Sequence, residues 1–188
     1  MILYYNKIII SLYNIAVSQL IHQKRIDKQE MRNMSRAEDK FEILEATSIY
    51  AHSIDQNKWE WTETILADTV TLDYSTMIQK PPIQLEKKKI IYEMWKPFLE
   101  QLHTSQHLLS TPIIEFPEED QAVCWAYIQA QHVADPEEKQ KWLVGARYKF
   151  DLKKENSKWL ITGIQINYIW SEGGLPDEYY VPIVQAFQ

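Results

Sequence analysis

Acid–base chemistry has the clearest candidate residues in this 188-residue sequence, because ionisable side chains end two of its apolar runs. Asp55 ends a stripe with the three- and four-residue spacing of a helix face, formed by Phe41, Leu44, Ser48 and Ala51. His132 ends a strand face that otherwise carries small or aliphatic side chains, namely Ala122, Cys124, Ala126, Ile128 and Ala130. A buried carboxylate fixes the tautomer of an adjacent imidazole and supports its charged form. We therefore expect Asp55 to pair with His132.

The small face of this strand leaves volume either for a ligand or for a packed helix. In the second interpretation the alanines accommodate the first helix and His132 is a rim histidine. The opposite face carries Trp125, Tyr127, Gln129 and Gln131, a half-polar surface that another subunit could cover.

Several other kinds of chemistry are disfavoured by composition. Four glycines are too few for a phosphate-cradling loop, and a net charge of −6 without a basic stripe argues against nucleic acid as a partner. The single Cys124 excludes an intrachain disulfide and a cysteine zinc cage. His103 and His107 have a four-residue spacing that can hold a metal on a helix, but no acidic residue lies between them. We expect neither a metal nor a cofactor.

The predicted elements are helices first and an antiparallel meander second, the order of an α+β fold. A capping box, Ser35 with Glu38, predicts the start of the first helix, and two more helices are predicted over residues 59–67 and 86–103, with Pro97 as a break. Extended runs are predicted at 70–74, 107–116, 121–133, 142–152 and 159–170, with hairpin turns at 135–138 and 155–158. The last run places on one face Leu160, Thr162, Ile164, Ile166, Tyr168 and Trp170.

Residues 1–33 differ from the rest of the chain. Their apolar run is interrupted by polar residues and followed by basic ones, so it is a poor secretory signal and a doubtful membrane span. A poorly ordered extension, an accessory helix and a weak membrane anchor all remain open. We predict a domain over residues 34–175, a C-terminal tail over 176–188 that acts as a lid or a subunit-packing arm, and a cytoplasmic location.

An ordered set of short motifs resembles a known family. The motifs are Tyr50 to Asp55 and Trp59, Leu72-Asp73-Tyr74, Ser105-Gln106-His107, Gln131-His132, Trp159 to Gly163, and Trp170-Ser171-Glu172. They resemble the scytalone dehydratase and SnoaL-like family of the nuclear-transport-factor-2-like superfamily. The resemblance implies a curved mixed or antiparallel sheet that three N-terminal helices help close into a cone-shaped barrel around a pocket.

The same resemblance implies roles for individual residues. Asp55, His107 and His132 match the catalytic aspartate and histidines, and Tyr74, with Tyr50 as a helper, matches the tyrosines that bind a substrate carbonyl. The pocket positions that depart from the family pattern, or that would wall the cavity, are Ile54, Ala146, Tyr148, Ile164, Ile166 and Tyr168. These departures predict that the substrate is not scytalone, the melanin precursor.

The activity implied is removal of water from a hydroxylated, carbonyl-containing aromatic or polyketide-like compound of secondary metabolism, by a homo-oligomer. This reaction needs a base for the α proton, an acid for the leaving hydroxyl and a donor for the enolate oxygen. A polyketide cyclase or isomerase and a non-catalytic ligand-binding or dimerisation module remain alternatives. An epoxide hydrolase of this fold would need an Asp-Arg-Asp set, but Arg147 and Asp151 are expected on the outer face of their strand.

Overall fold

A computed structural model describes residues 2–135, 137 and 140–188, with side chains from residue 17 onward except at 29 and 32. Helix α1 spans Ile2–Asp55. The chain divides into two compact units, residues 1–41 and 42–188. The second unit carries the C-terminal tail and all the sheet strands.

Helix α1 contradicts the predicted start at Ser35, because residues 2–34 are already helical. No Gly or Pro occurs between positions 2 and 55, so nothing in the chain forces an end before the capping box, and Ser35 and Glu38 are accommodated inside the helix. Among the described residues, none of the helices combines the length and the apolar character needed to cross a bilayer.

The predicted buried stripe of this helix is also wrong. Phe41 is 73% exposed, whereas the buried positions of the second unit's part of α1 are Ile43, Ala46, Thr47, Tyr50, Ala51, Ser53 and Ile54. Both sets have three- and four-residue spacings, but the observed one contains more apolar side chains. Asp55 consequently lies at the edge of the buried face.

Within the described residues, the remaining elements are short helices and seven strands. They are α2 (Trp59–Ile65), β1 (Leu66–Asp73), α3 (Ser75–Ile78), β2 (Ile83–Glu86), α4 (Lys87–Lys89), a π-helical segment (Ile90–Trp95), α5 (Lys96–Leu99), β3 (Thr104–Leu109), β4 (Ile113–Glu115), β5 (Gln121–Asp135), β6 (Gln140–Glu155), β7 (Lys158–Gly173), a 3₁₀ turn (Asp177–Tyr180) and α6 (Val181–Ala186). The predicted run 107–116 is split at Pro112, which cannot donate to a strand ladder.

The strands form one curved mixed sheet in the order β2-β1-β7-β6-β5-β3, with β4 also paired to β5. In the described part of the chain, β1 and β7 run parallel and the other paired strands are antiparallel. The α+β prediction is confirmed. The sheet does not close on itself, because β2 and β3 end its hydrogen-bonded order.

The alternation of β5 is confirmed. All six side chains of the small face are buried, and the outer face contains the exposed Tyr127 and the half-buried Trp125. On β6, Val144, Ala146, Tyr148 and Phe150 face inward as expected. Arg147 lies outside, where its guanidinium is 5.2 Å from the Trp125 ring, so these residues form no inward Asp-Arg-Asp set. Coverage of this outer face by a second subunit stays a prediction.

Strand β7 changes face along its length, which corrects the single face predicted for it. Leu152 pairs with Ile161 and Asp151 with Gly163, so Thr162 is an extra residue in a bulge. Trp159 and Ile161 are buried before the bulge, and Ile164 and Ile166 after it. A second irregularity lies between Tyr168, which pairs with Ala146, and Trp170, which pairs with Gly145; both of these β7 residues are exposed.

The turn between β6 and β7 is confirmed at Glu155 to Lys158, where Asn156 and Ser157 both have positive φ, as in a type I′ hairpin. The turn predicted at 135–138 includes Pro136 and Glu138, which lie outside the described residues. Buried side chains from α1, α2, the π-helical segment and the inner sheet face form one core cluster. The cavity described below lies next to this core cluster, and several residues of the cluster line it.

Candidate functional site

Asp55 is held at the C-terminal end of α1 by a well-defined helix stop. The amide of Lys58 donates to the carbonyl of Ser53 (2.8 Å), and Asn57 between them has φ of 55°. This is the hydrogen-bond pattern of a Schellman stop, in which a left-handed residue follows the helix. The stop fixes the backbone from which the Asp55 carboxylate reaches strand β3.

Strand β3 surrounds the Asp55 carboxylate with three donors. The Ser105 hydroxyl donates to Oδ1 (2.8 Å), the His107 backbone N–H donates to Oδ2 (2.6 Å), and His107 Nδ1 lies 2.6 Å from Oδ1. A carboxylate can only accept, so Nδ1 carries a proton and Nε2 is the ring nitrogen left for a ligand. The arrangement is a histidine–aspartate dyad in which the carboxylate orients the ring.

Burial of Asp55 acts to raise its pKa, but the hydrogen bonds and charge of His107, with the Ser105 hydroxyl, lower it below the ordinary value. Asp55 is therefore ionised at neutral pH. The side chain of His107 is 5% exposed and that of Asp55 16%, so the pair is shielded from solvent. An ionised partner of this kind stabilises the imidazolium that forms when His107 accepts a proton.

His132 lies beside the dyad in a different environment. Its ring meets that of His107 edge to face at 5.3 Å and stacks on Trp142 at 5.0 Å. Burial, and then the charge of His107, lowers the pKa of His132 to about 3, outweighing opposite contributions from the Trp142 backbone and Asp55. Its buried Nδ1 has no hydrogen-bond partner in geometric reach among the described residues. His132 is thus a neutral imidazole with an unused polar atom.

Both histidines line a cavity of about 350 Å³. The cavity is walled by helices, sheet and C-terminal tail; its lining residues are Tyr50, Ile54, Tyr74, Met77, Ile78, Trp95, Phe98, Leu99, His107, His132, Trp142, Val144, Ala146, Tyr148, Ile166, Gly173, Gly174, Tyr180, Ile183 and Val184. None of these is Lys, Arg, Asp or Glu. The cavity offers an apolar space with two imidazoles and several hydroxyls.

Three buried tyrosines supply hydroxyl groups. Burial raises the pKa of Tyr74, and burial followed by the neighbouring phenols raises that of Tyr50 and Tyr148. The Trp95 indole N–H donates to the Tyr74 hydroxyl (3.2 Å). All three tyrosines are neutral phenols at physiological pH and hence hydrogen-bond donors.

The structure brings together most of the residues singled out in the sequence. The cavity is lined by the two predicted histidines and two predicted tyrosines, His107, His132, Tyr50 and Tyr74. It is also lined by the three positions that depart from the family pattern, Ile54, Ala146 and Tyr148, and by the predicted wall residue Ile166. Asp55 reaches it through His107. The expected pairing of Asp55 with His132 is wrong, because the carboxylate bonds to His107.

Two predicted wall residues lie elsewhere. Ile164 is buried in the core but is not among the described residues that line the cavity. Tyr168 is 41% exposed, and its hydroxyl is 3.1 Å from Ser171 Oγ. His103 is exposed, lies one residue before β3 and takes no part in the dyad.

The sequence predicted no cavity-lining role for the third helical region, where Trp95 and Phe98 line the cavity, whereas it predicted the tail as a lid or a subunit-packing arm. From the tail, Tyr180 stacks on Phe98 at 6.2 Å and meets Trp142 edge to face at 5.6 Å. The aromatic residues of the tail were the available signal, and they place it over the cavity of its own chain.

The low pKa of His132 predicts how stability depends on pH. The unfolded histidine binds a proton below about 6.5, whereas the folded one stays neutral to about 3. The unfolded state therefore binds more protons between these values, and stability falls as pH falls through this window. From pH 6.5 to 4.5 the loss attributable to His132 is roughly 2 kcal/mol, since one pKa unit corresponds to about 1.4 kcal/mol.

Urea unfolding of the wild type and His132→Gln at both pH values checks this expectation. His132→Gln, which cannot be protonated, should show the smaller loss of stability, while His52→Gln on the exposed helix surface should match the wild type. Equal losses in the wild type and His132→Gln would contradict the low pKa.

Comparisons with known proteins identify a family model and several solved structures that are similar to this chain. A family model described as a SnoaL-like domain matches residues 35–165. Kfla4162 from Kribbella flavida superposes with a TM-score of 0.67 at 18% identity, over 73% of this chain and 95% of that one. A candidate scytalone dehydratase from Novosphingobium aromaticivorans gives 0.59 at 14%, over 76% and 95%. Hexachlorocyclohexane dehydrochlorinase LinA-type3 from Novosphingobium barchaimii gives 0.62 at 12%, over 77% and 99%.

No curated protein matches the chain in sequence. The structural likenesses, all at low identity, show a shared fold. The family model covers well over half of the chain. The chain belongs to the SnoaL-like domain family of the nuclear-transport-factor-2-like superfamily.

Proposed function

We propose that the protein is a lyase that removes water from a hydroxylated, carbonyl-containing aromatic or polyketide-like compound. One observation carries this proposal: the Asp55–His107 dyad opens onto the same apolar cavity as the neutral His132, whose Nδ1 has no partner among the described residues. The dyad supplies a base, and the tyrosines supply donors for an oxygen atom. These are the groups that elimination next to a carbonyl requires.

The first step is removal of the proton next to the carbonyl. His107 Nε2 accepts that proton as the C–H bond breaks, and Asp55 stabilises the resulting imidazolium through Nδ1. The electron pair moves to the carbonyl oxygen, which becomes an enolate. Tyr74, with Tyr50 as a helper, donates a hydrogen bond to this oxygen, and the low dielectric of the cavity makes that bond effective.

The second step expels the hydroxyl. The enolate electrons return to form the carbon–carbon double bond, the C–O bond breaks, and the proton held by His107 leaves with the hydroxide as water. His132, whose low pKa keeps it neutral, acts as a hydrogen-bond partner that holds the departing oxygen beside His107. His107 thus acts first as the base and then as the acid, with His132 beside it.

The cavity also constrains the substrate. The described residues that line it include no Lys, Arg, Asp or Glu, and this favours an uncharged compound. A volume of about 350 Å³ is near the lower end of the range of ligand pockets, about 300–1,000 Å³. One or two rings suit it better than a large polycycle. Two structural neighbours carry the names of elimination enzymes, a dehydratase and a dehydrochlorinase.

The volume argues against one form of the nearest alternative. A cyclase or isomerase would use the same histidines and aspartate, but cyclisation of a long polyketide needs room for several rings, whereas an isomerase acting on a one- or two-ring compound fits the same volume. A non-catalytic module would not need a buried dyad on a cavity beside an imidazole whose Nδ1 lacks a partner among the described residues, since buried polar atoms without partners are costly.

Assay of 3-hydroxy-1-tetralone tests the proposal. This uncharged two-ring β-hydroxy ketone gives 1-naphthol when water is lost, and naphthol fluorescence follows the reaction continuously. We expect an acceleration of at least about 10²-fold over the uncatalysed rate, the lower end of what positioned acid–base groups supply. 1-Tetralone, which has no hydroxyl, is the unreactive control. No acceleration with this compound and with its open-chain analogue 4-hydroxy-4-phenylbutan-2-one would contradict the proposal.

A further inference from the structure

The helix that carries Trp95 contains a π-helical segment. Pro97 has no N–H and its ring collides with the carbonyl four residues earlier, so a regular α-helix cannot continue through it unchanged. The segment Ile90–Trp95 relieves this conflict, and the Lys96 N–H donates to the Ile91 carbonyl, five residues back. Such wide turns often occur at functional sites. Trp95 is the last residue of this segment and lines the cavity.

Trp95 makes two contacts that concern the cavity tyrosines. Its indole N–H donates to the Tyr74 hydroxyl over 3.2 Å, and its ring meets Tyr50 edge to face at 5.6 Å. Trp95 is 5% exposed and Tyr74 6%, so water does not compete for this hydrogen bond. A buried indole N–H requires an acceptor, and here the acceptor is a hydroxyl that faces a ligand space.

Tyr74 is itself held firmly. It follows β1 with φ of −107° and ψ of 18°, in the sparsely occupied bridge region where active-site residues often lie. The next residue, Ser75, donates both its N–H (3.0 Å) and its hydroxyl (2.6 Å) to Asp73 Oδ1. From the tail, Phe187 packs on the Tyr74 ring at 5.4 Å. The ring is therefore fixed, and only the rotation of the O–H bond remains to be decided.

We propose that Trp95 is a positioning residue that sets this rotation and makes Tyr74 the donor to the substrate oxygen. A phenol has one hydrogen and can accept as well as donate. When Trp95 occupies an acceptor position of the Tyr74 oxygen, the hydroxyl hydrogen turns away from the indole and is free for the ligand. In addition, accepting one hydrogen bond makes the phenol a stronger donor, because neighbouring hydrogen bonds polarise one another. This inference rests on the proposed function only where it identifies the substrate oxygen as a carbonyl oxygen.

Binding of 1-tetralone tests this without any turnover. Its carbonyl stretching frequency, read by infrared difference spectroscopy, falls when the oxygen accepts a hydrogen bond. In the wild type we expect this frequency to be clearly lowered, and in Tyr74→Phe we expect the part of the lowering that comes from the tyrosine to be lost. In Trp95→Phe the frequency should move toward that of Tyr74→Phe, and 1-tetralone should bind about three- to tenfold more weakly than to the wild type. Trp95→Phe keeps an aromatic ring and removes only the N–H donor.

Trp59→Phe is the matched control. Trp59 is also 5% exposed and its indole N–H also donates, to Glu100 Oε1 at 3.0 Å, but it does not line the cavity. Its substitution should leave the carbonyl frequency unchanged, although it removes the same kind of bond. A Trp95→Phe frequency equal to that of the wild type, with 1-tetralone bound, would overturn the proposal.

A second measurement avoids substitution of Trp95. Nuclear magnetic resonance of ¹⁵N-labelled protein can follow the indole N–H groups of the seven tryptophans, with the Trp95 signal assigned by its loss in Trp95→Phe. In Tyr74→Phe the Trp95 indole proton should move upfield because it loses its acceptor, and 1-tetralone should shift this signal in the wild type but not in Tyr74→Phe. An indole signal insensitive to both changes would contradict the coupling. If the elimination assay fails while these signals respond, the positioning role stands and only the proposed reaction is lost.

Discussion

Asp55→Asn is expected to lower turnover of 3-hydroxy-1-tetralone by about 10²–10⁴-fold, with a small effect on KM. The asparagine side chain fills the same space but has no charge to stabilise the imidazolium of His107. Its amide group can also donate to Nδ1, which would put the proton on Nε2 and remove the base. The loss should appear in kcat because the carboxylate acts on the ring and does not touch the cavity.

Three further variants make this result specific. His107→Gln should lose as much activity as Asp55→Asn, and the double variant should lose little more, because residues that act as a unit are not additive. His103→Gln, an exposed histidine four residues from His107, should retain wild-type turnover. Unfolding curves of all variants establish that the fold is retained. A loss below tenfold in a folded Asp55→Asn protein would rule out the dyad as the base.

The strand pattern was predictable because it depends on local alternation. The six inward residues of β5 and the inward residues of β6 are the ones that alternation selects. Small side chains on one face and large ones on the other leave few choices of orientation. The period of a strand therefore predicts which side chain faces inward, and with it the position of His132.

The identity of the carboxylate's partner was not predictable in this way. In the structure Ser105 pairs with His132 and His107 with Ala130, so both histidines face inward at diagonal positions of β3 and β5. Which of them meets Asp55 depends on where α1 ends relative to this register. That is a property of long-range pairing, and the spacing of residues along the chain does not contain it.

The predictions for the start of α1 and for the inward face of β7 were wrong because the local sequence is compatible with more than one structure. A capping box is equally acceptable inside a helix, and a stripe shifted along α1 still has helical spacing. A single extra residue, Thr162, reverses the face of everything after it; its hydroxyl donates to the Asp151 carbonyl (3.1 Å) across the bulge. Such insertions leave no clear mark in the alternation pattern.

Gly173→Ala is the substitution outside the dyad with the largest expected effect. Gly173 has φ of +74°, and a Cβ there would lie 2.3 Å from the Lys141 carbonyl oxygen, a backbone atom that cannot turn aside. The same carbonyl accepts from the Gly174 N–H (3.0 Å), which fixes the chain as it leaves β7 for the tail. Strain of this kind costs about 1–3 kcal/mol before the contact is counted. The site is thus a rigid corner, and not the flexible hinge that paired glycines suggest.

Gly174→Ala is the matched control for stability, because, apart from the adjoining residues of the chain, no atom of the described residues lies within 4 Å of a Cβ built at Gly174, and its φ is not positive. We expect Gly173→Ala to lower the melting temperature by at least about 4 °C, since 1 kcal/mol shifts a chain of this size by about 2–4 °C. The Gly174→Ala protein should melt within about 1 °C of the wild type. Because Tyr180 and Val184 of the tail wall the cavity, Gly173→Ala should also weaken 1-tetralone binding. Equal melting temperatures for the two variants, with wild-type affinity in Gly173→Ala, would show that the corner does not hold the tail over the cavity.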